Sequence, residues 1–279
     1  MNKQPREESR DVVKVQLNLG AIEGRFLTQL QRLTDILAVS LIGLKHIDEQ
    51  SYSSFTPFWR VEPAKNRRSP VSTAISEAEQ WYLCGVVRDA IELTNDFVQN
   101  CWKTCSIMSL STKKVKGKDL NELLGPLTKK FHSLGLPAKI RKLREDFGVF
   151  SELESHVLGV NAARACMVHS SGLVSKLDTD ANGQLVIRWR TIRFRARSPD
   201  EKDEVLLDHE GVLVEAGWRV SGVTVDEAKP FKLGDRIELS FKEMTNILFT
   251  LMIFAGTLVD SIRAYAERSG VKMLEHAQS

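Results

Sequence analysis

From Ile247 to Phe254 the chain is apolar almost without interruption, and a helix that is apolar nearly all round has to be buried on several sides. Other elements must cover it, which places it at the centre of the fold or makes it half of a subunit interface. Ser240 and Glu243 stand in the S-x-x-E spacing of a capping box and open this helix, whose pattern runs from Phe241 to about Arg268. The apolar stretch itself, Ile247 to Val259, is roughly half the length of a membrane span. No membrane association is expected from it.

The covering elements are legible upstream. From about Glu23 to Ile47, Phe26, Leu30, Leu33, Leu37, Leu41 and Leu44 recur at helical spacing. Ser51 to Pro70, rich in Ser, Pro, Phe and Trp and without a period, reads as a loop. Ser76 with Glu79 forms an S-x-x-E pair that predicts a long helix to about Ile107, with Trp81, Cys84, Val87, Ile91, Val98 and Cys101 as its buried stripe. Asp119 and Glu122 predict a cap for a short helix over Leu120 to Leu134, and Pro137 suits the first turn of another ending near Asp146. Ser151 and Glu154 repeat the capping spacing ahead of a helix that Gly172 stops.

After Gly172 the period changes from helical to two. Leu185, Ile187 and Trp189 alternate with Val186, Arg188 and Arg190; then the phase slips, and Ile192, Phe194 and Ala196 alternate with Arg193, Arg195 and Arg197. A one-residue slip predicts a strand or strand pair with a bulge. Val205 to Val225 and Phe231 to Leu239 are further strand candidates, joined to a turn at Gly234-Asp235. Helices, a β-rich insert and a closing helix make the fold mainly α, of the α+β class.

Charge is arranged locally; the net charge is +3, with 27% charged and 42% hydrophobic residues, the balance of a folded chain. Lys113, Lys114, Lys116 and Lys118 crowd a loop around Gly117. The five arginines from Arg188 to Arg197 precede an acidic stretch, Ser198 to Thr224, with which they can pair across strands. The other reading is a basic β face that tracks a phosphate backbone. Trp189 and Phe194 are expected in the core rather than as base-stacking platforms.

Several chemistries find no support in the residues. There is no Gly-rich phosphate loop, dinucleotide fingerprint or G-x-S-x-G elbow. Cys84, Cys101, Cys105 and Cys166 lack zinc or redox spacing and read as reduced core thiols. His46, His132, His156, His209 and His276 are scattered, with no metal-ligand spacing, and His156 is expected at the surface. No secretory signal opens the sequence, so a cytoplasmic location is expected.

The segment Asn161-Ala162-Ala163-Arg164-Ala165-Cys166-Met167-Val168-His169-Ser170-Ser171-Gly172 carries the strongest candidate site. On an ideal helix the five-residue step from Arg164 to His169 turns through about 500°, leaving the side chains about 140° apart and about 7.5 Å along the axis. Both face partly apolar surroundings, where an arginine needs a partner. Arg164 can pair with an acid of the long helix, Glu79 or Glu92, and His169 can cap the helix C-terminus.

This segment resembles the Arg-x4–6-His signature of the HEPN superfamily, in the subgroup where the motif is followed by a glycine, a β-rich insertion and a final apolar helix. Arg164, His169 and Gly172, then Leu185 to Leu239, then Ser240 onward supply the match. The resemblance implies one HEPN-like domain over 1–279: a helical bundle at 20–172, an antiparallel insert at 173–239 between the motif helix and the C-terminal helix, and that helix at 240–268. It implies a metal-independent endoribonuclease without cofactors, a toxin or anti-phage effector, whose two copies meet at a composite cleft and answer to an antitoxin or regulatory protein. Arg164 and His169 would be catalytic. Asn161 and Ser170 beside them, with Lys113, Lys114 and Lys116, would hold RNA. Catalytic members usually carry a polar residue, often Asn, directly after the arginine, where this chain has Ala165. That position brings in the alternative of a non-catalytic RNA- or nucleotide-binding or scaffold protein, and an unrelated helical interaction module is the third reading.

Overall fold

The structure is a computed structural model that describes residues 16–54, 70–111, 117–200, 202–207 and 216–271. The described elements run α1 (Leu19–Lys45), α2 (Glu49–Ser54), α3 (Val71–Ser111), α4 (Gly117–His132), α5 (Leu136–Phe147), α6 (Glu154–His169), β1 (Gln184–Arg197), β2 (Glu204–Leu207), β3 (Arg219–Lys232) and α7 (Phe241–Arg268). The chain is mainly helical, with one three-stranded antiparallel sheet between α6 and α7. It divides into two compact units, one drawn from Met1–Phe26, Thr94–Glu152 and Ala255–Ser279, the other from Leu27–Leu93 and Leu153–Phe254.

The first unit is held by aromatic pairs. Phe26 stacks on Phe97 with centroids 4.7 Å apart, and Trp102 stacks on Phe131 at 4.3 Å. Leu136, Ile140 and Leu143 bury the inner face of α5, each such side chain adding roughly 1.5–3 kcal/mol. Pro137 sits in its first turn, and Gly148, at φ 64, ends it by returning its N–H to the Arg144 carbonyl. Lys139 is fully buried, its ammonium 3.2 Å from Gln99 Oε1 and over the Phe131 ring.

The second unit holds the sheet. β1 pairs with β3 without interruption from Gln184↔Lys232 to Arg197↔Arg219, and β2 covers only the far end of β1, from Phe194↔Leu207 to Arg197↔Glu204. The expected bulge is absent from this ladder. Instead the apolar face changes: Leu185, Ile187, Trp189 and Thr191 are buried on one side, whereas Ile192 and Phe194 lie exposed on the other. Phe194 is 50% exposed and lies over Gly222, so its reading as core is corrected; Trp189 is buried, as expected. The phase slip in the sequence marks a switch of apolar face, not an extra residue.

Among the described residues no strand pairs with the outer edge of β1 along its first half, and α6 and α7 approach it there. The Arg190 N–H donates to Thr250 Oγ1 of α7 at 2.7 Å. α6 approaches so closely at Gly159 that a Cβ there would lie 2.7 Å from the Val186 carbonyl oxygen and 3.8 Å from Ile187 Cα. Only glycine admits that approach.

α7 begins and ends as its sequence predicts. The Ser240 N–H donates to Glu243 Oε2 at 2.7 Å, and the Glu243 N–H donates to Ser240 Oγ at 3.2 Å, a complete capping box. Its buried side chains run from Met244 through Leu251 and Phe254 to Ile262 and Ala266. By length and composition it passes as a membrane span, unlike the reading above, yet half of its apolar window is buried within the protein.

Other expectations need correction. α3 opens at Val71, behind Pro70, so Ser76 and Glu79 lie inside the helix and cap nothing at its start. Trp81 is 71% exposed and Cys84 only half-buried, whereas Val87, Ile91, Val98 and Cys101 are buried as expected, with Leu83, Val86 and Ala90 buried beside them. Ser51 to Ser54 belong to α2, capped by Asp48, whose Oδ1 accepts the Ser51 N–H at 2.7 Å; residues 55–69 of the expected loop lie outside the described residues. α1 starts earlier than expected because Asn18 Oδ1 caps it through the Ala21 N–H. Residues 233–239 are not a strand: β3 ends at Lys232, and Gly234-Asp235 forms the expected turn, with the Asp235 carboxylate accepting the Lys232 N–H at 2.6 Å.

Replacing Gly159 by Ala should lower stability by about 1–3 kcal/mol, because backbone rather than a movable side chain lies in the way. Thermal unfolding of the full chain would show a fall in Tm of several degrees, and an unchanged Tm would mean that α6 and β1 are not in this contact.

Candidate functional site

α6 carries the motif, and its start is not the one its sequence suggests. Ser151 does not cap it; the Ser151 hydroxyl is 2.6 Å from Thr257 Oγ1. The buried Leu153 takes the N-cap position, and its carbonyl accepts the N–H groups of His156 and Val157, both at 3.1 Å. Val157, Val160, Ala163 and Cys166 then bury the inner face.

The far end is pinned. The Ser170 N–H donates to the Cys166 carbonyl at 2.8 Å, and the Gly172 N–H reaches the same carbonyl at 3.2 Å. Ser171, at φ 51, and Gly172, at φ 78, take left-handed conformations that reverse the chain. The Gly172 carbonyl then accepts the Ile237 N–H at 2.8 Å, and Val174 exchanges bonds with Asp235 and Gly234. The glycine read as a helix stop is therefore also the point where the chain docks on the segment leading to α7.

Arg164 and His169 do not meet within the chain. Arg164 turns toward α3, where its Nη2 donates to Glu92 Oε1 at 2.5 Å, the pairing that the sequence offered with Glu79 or Glu92. The Arg164 side chain is 28% exposed, and its Nε is buried without a hydrogen-bond partner among the described residues. His169 is exposed in the last turn, near Asp178. Asn161 is half-buried one turn before Arg164, and Ser170 is half-buried at the C-cap beside His169. Lys113, Lys114 and Lys116 lie outside the described residues.

Asp178 is a neighbour that the sequence did not single out. Hydrogen bonds from the Ser175 hydroxyl and N–H, with help from the Cys166 thiol and the charge of His169, hold its carboxyl below the usual range. Cys166 is buried, and burial plus the Asp178 carboxylate push its thiol up to about 11. Cys105 is pushed up to about 12 by burial. Neither thiol has the thiolate character of a nucleophile. A shallow cavity of about 270 Å³ runs from Asp178 and Asp180 past Gly159 and Ala162 to Arg188, on the His169 side of α6 and away from Arg164.

His156 is buried, not at the surface. Its Nε2 lies 3.4 Å from Asp226 Oδ1, and Arg190 binds the same carboxylate at 3.0 Å. The helical spacing His156, Gly159 puts both residues toward the sheet, a signal available only once Gly159 is known to touch β1. Most of the strand arginines pair across strands: Arg193 with Glu227 at 2.8 Å, Arg195 and Arg197 with Glu204 at 3.0 and 2.7 Å. Glu227 also accepts from Trp189 Nε1, and these bonds hold its carboxyl below the usual range. The geometry favours cross-strand pairing of the arginines over a free basic face, although only Glu204 comes from the expected stretch and Asp226 and Glu227 lie just beyond it.

No group of three or more metal-ligating side chains occurs among the described residues. Comparison of the chain with family models, with curated proteins and with solved structures finds no match.

Burial holds the His156 imidazole below its ordinary 6.5, with Arg190 and Arg188 acting in the same direction and Asp226 opposing them. The unfolded chain therefore takes up the proton first, and this contribution to stability is lost as pH falls through 6.5. Urea unfolding at about pH 7.5 and about pH 5 should show a larger loss for the wild type than for His156→Gln. Equal losses would mean that His156 is solvated.

Proposed function

We propose that this chain is a metal-independent endoribonuclease of HEPN type that works in the cytoplasm as a homodimer. The observation that carries the reading is α6 itself: a partly exposed Arg164 and an exposed His169 near the end of one helix, followed by the Gly172 reversal, the β insert and the apolar α7. Histidine suits proton transfer near neutral pH, here from a 2′-hydroxyl attacking the adjacent phosphate. Arginine suits the pentacoordinate phosphate, because its planar fork stabilises developing negative charge without losing its own. Because the two side chains diverge on one helix, the site is composite, with Arg164 of one copy working beside His169 of another. Asn161 and Ser170 flank the pair and are proposed to contact the RNA. A role as toxin or anti-phage effector, restrained by an antitoxin or regulatory protein, belongs to the same proposal.

Two observations favour a second reading. Arg164 is already engaged by Glu92, and Ala165 offers no polar group beside it. A protein so arranged binds RNA or a nucleotide, or serves as a scaffold, without cleaving.

The purified chain in a chelator should cut RNA by 2′-hydroxyl attack that breaks the P–O5′ bond, leaving 2′,3′-cyclic phosphate and 5′-hydroxyl ends. His169→Ala and Arg164→Ala should each lower the rate by about 10²-fold or more. No cleavage by a clean dimeric wild type leaves the binding reading, and cleavage unaffected by both substitutions removes the motif from the chemistry.

A further inference from the structure

An arginine that binds phosphate does so best through two parallel N–H donors, Nε and one Nη. In this structure Arg164 uses only half of that fork. Nη2 donates to Glu92 Oε1, while Nε is buried and lacks a partner among the described residues. A buried donor left unpaired calls for an explanation, and here it accompanies a carboxylate that fills the other half of the fork. Glu92 is itself 55% exposed, so water screens the pair and limits its strength. The pair is thus tight enough to place the guanidinium and weak enough to exchange.

We propose that Glu92 is an internal stand-in for a phosphate: it holds Arg164 turned toward α3, and a phosphodiester must displace it before Arg164 can engage. The inference rests on reading Arg164 as the phosphate-binding group of the site. Glu92 touches no substrate in this account and acts only through Arg164, as an autoinhibitory contact. Exchange of Glu92 for a phosphate would let Nε and Nη2 both be satisfied by two oxygens of one group, turning a half-used fork into a complete one. A regulator that neutralised or withdrew Glu92 would switch the site on without touching α6.

The test uses the full chain as wild type, Glu92→Gln and Glu92→Ala. Inorganic phosphate is titrated while the Arg164 Nε–H resonance is followed by NMR, the resonance being assigned by its loss in Arg164→Lys. The released arginine should bind phosphate up to about fivefold more tightly in both Glu92 variants, the most that an exposed pair contributes. With a short single-stranded RNA as substrate, KM should fall by a similar factor while kcat is unchanged. Phosphate affinity equal to or weaker than that of the wild type would overturn the proposal, because Glu92 would then be a buttress that orients Arg164. Tighter phosphate binding with no RNA cleavage by any of the proteins would leave the Glu92 contact standing and remove the ribonuclease reading.

Discussion

The close approach of α6 to β1 at Gly159 is the constraint on which the second unit depends. With the helix backbone set against the Val186 carbonyl, the positions around Gly159 on α6 acquire fixed surroundings. His156, one turn earlier, is driven under the sheet beside Asp226 and Arg190. Cys166, two turns later, is buried with Asp178 beside it. Past the last turn, Gly172 and Val174 bond to residues 234–237, so that both ends of the insert return to the same place. A side chain at 159 would push the helix off the strand and disturb all of these together.

The same placement explains why Arg164 and His169 part company. The inner face of α6 is filled by Val157, Val160, Ala163 and Cys166, leaving Arg164 to emerge toward α3 and His169 toward the Asp178 side. Five residues of regular helix set that divergence, and the left-handed turn at Ser171 and Gly172 comes too late to undo it. In a single copy the two groups have different tasks: Arg164 is held by an acid, and His169 is open to solvent. Chemistry that needs both requires a second copy of the helix.

Much of this fold is legible in the sequence, and the failures have identifiable physical causes. α7 is read correctly from its capping box to its last turn because the Ser240 and Glu243 side chains each accept the other's backbone N–H, and Lys229 on the Glu243 carboxylate supports rather than competes. The same spacing at Ser151 and Glu154 misleads because Thr257, over a hundred residues away, takes the serine hydroxyl. Ser76 and Glu79 mislead because Pro70 already supplies a helix start. The phase slip in β1 is real, but alternation cannot distinguish an inserted residue from a strand that buries one face first and then shows apolar groups on the other. His156 was unreadable because its burial comes from a helix–strand contact made through glycine, which has no side chain to announce it. The site was legible as residues, including Glu92 as a partner for Arg164, but not as geometry, since Asp178 enters from a loop without period.

The proposed site joins Arg164 of one copy of the chain to His169 of another. The most direct measurement is RNA cleavage per chain over a dilution series, with the fraction of dimer measured by sedimentation under the same conditions. With such a composite site, cleavage per chain falls in step with the dimer fraction and vanishes in the monomer. Constant cleavage per chain in a fully monomeric protein would contradict it.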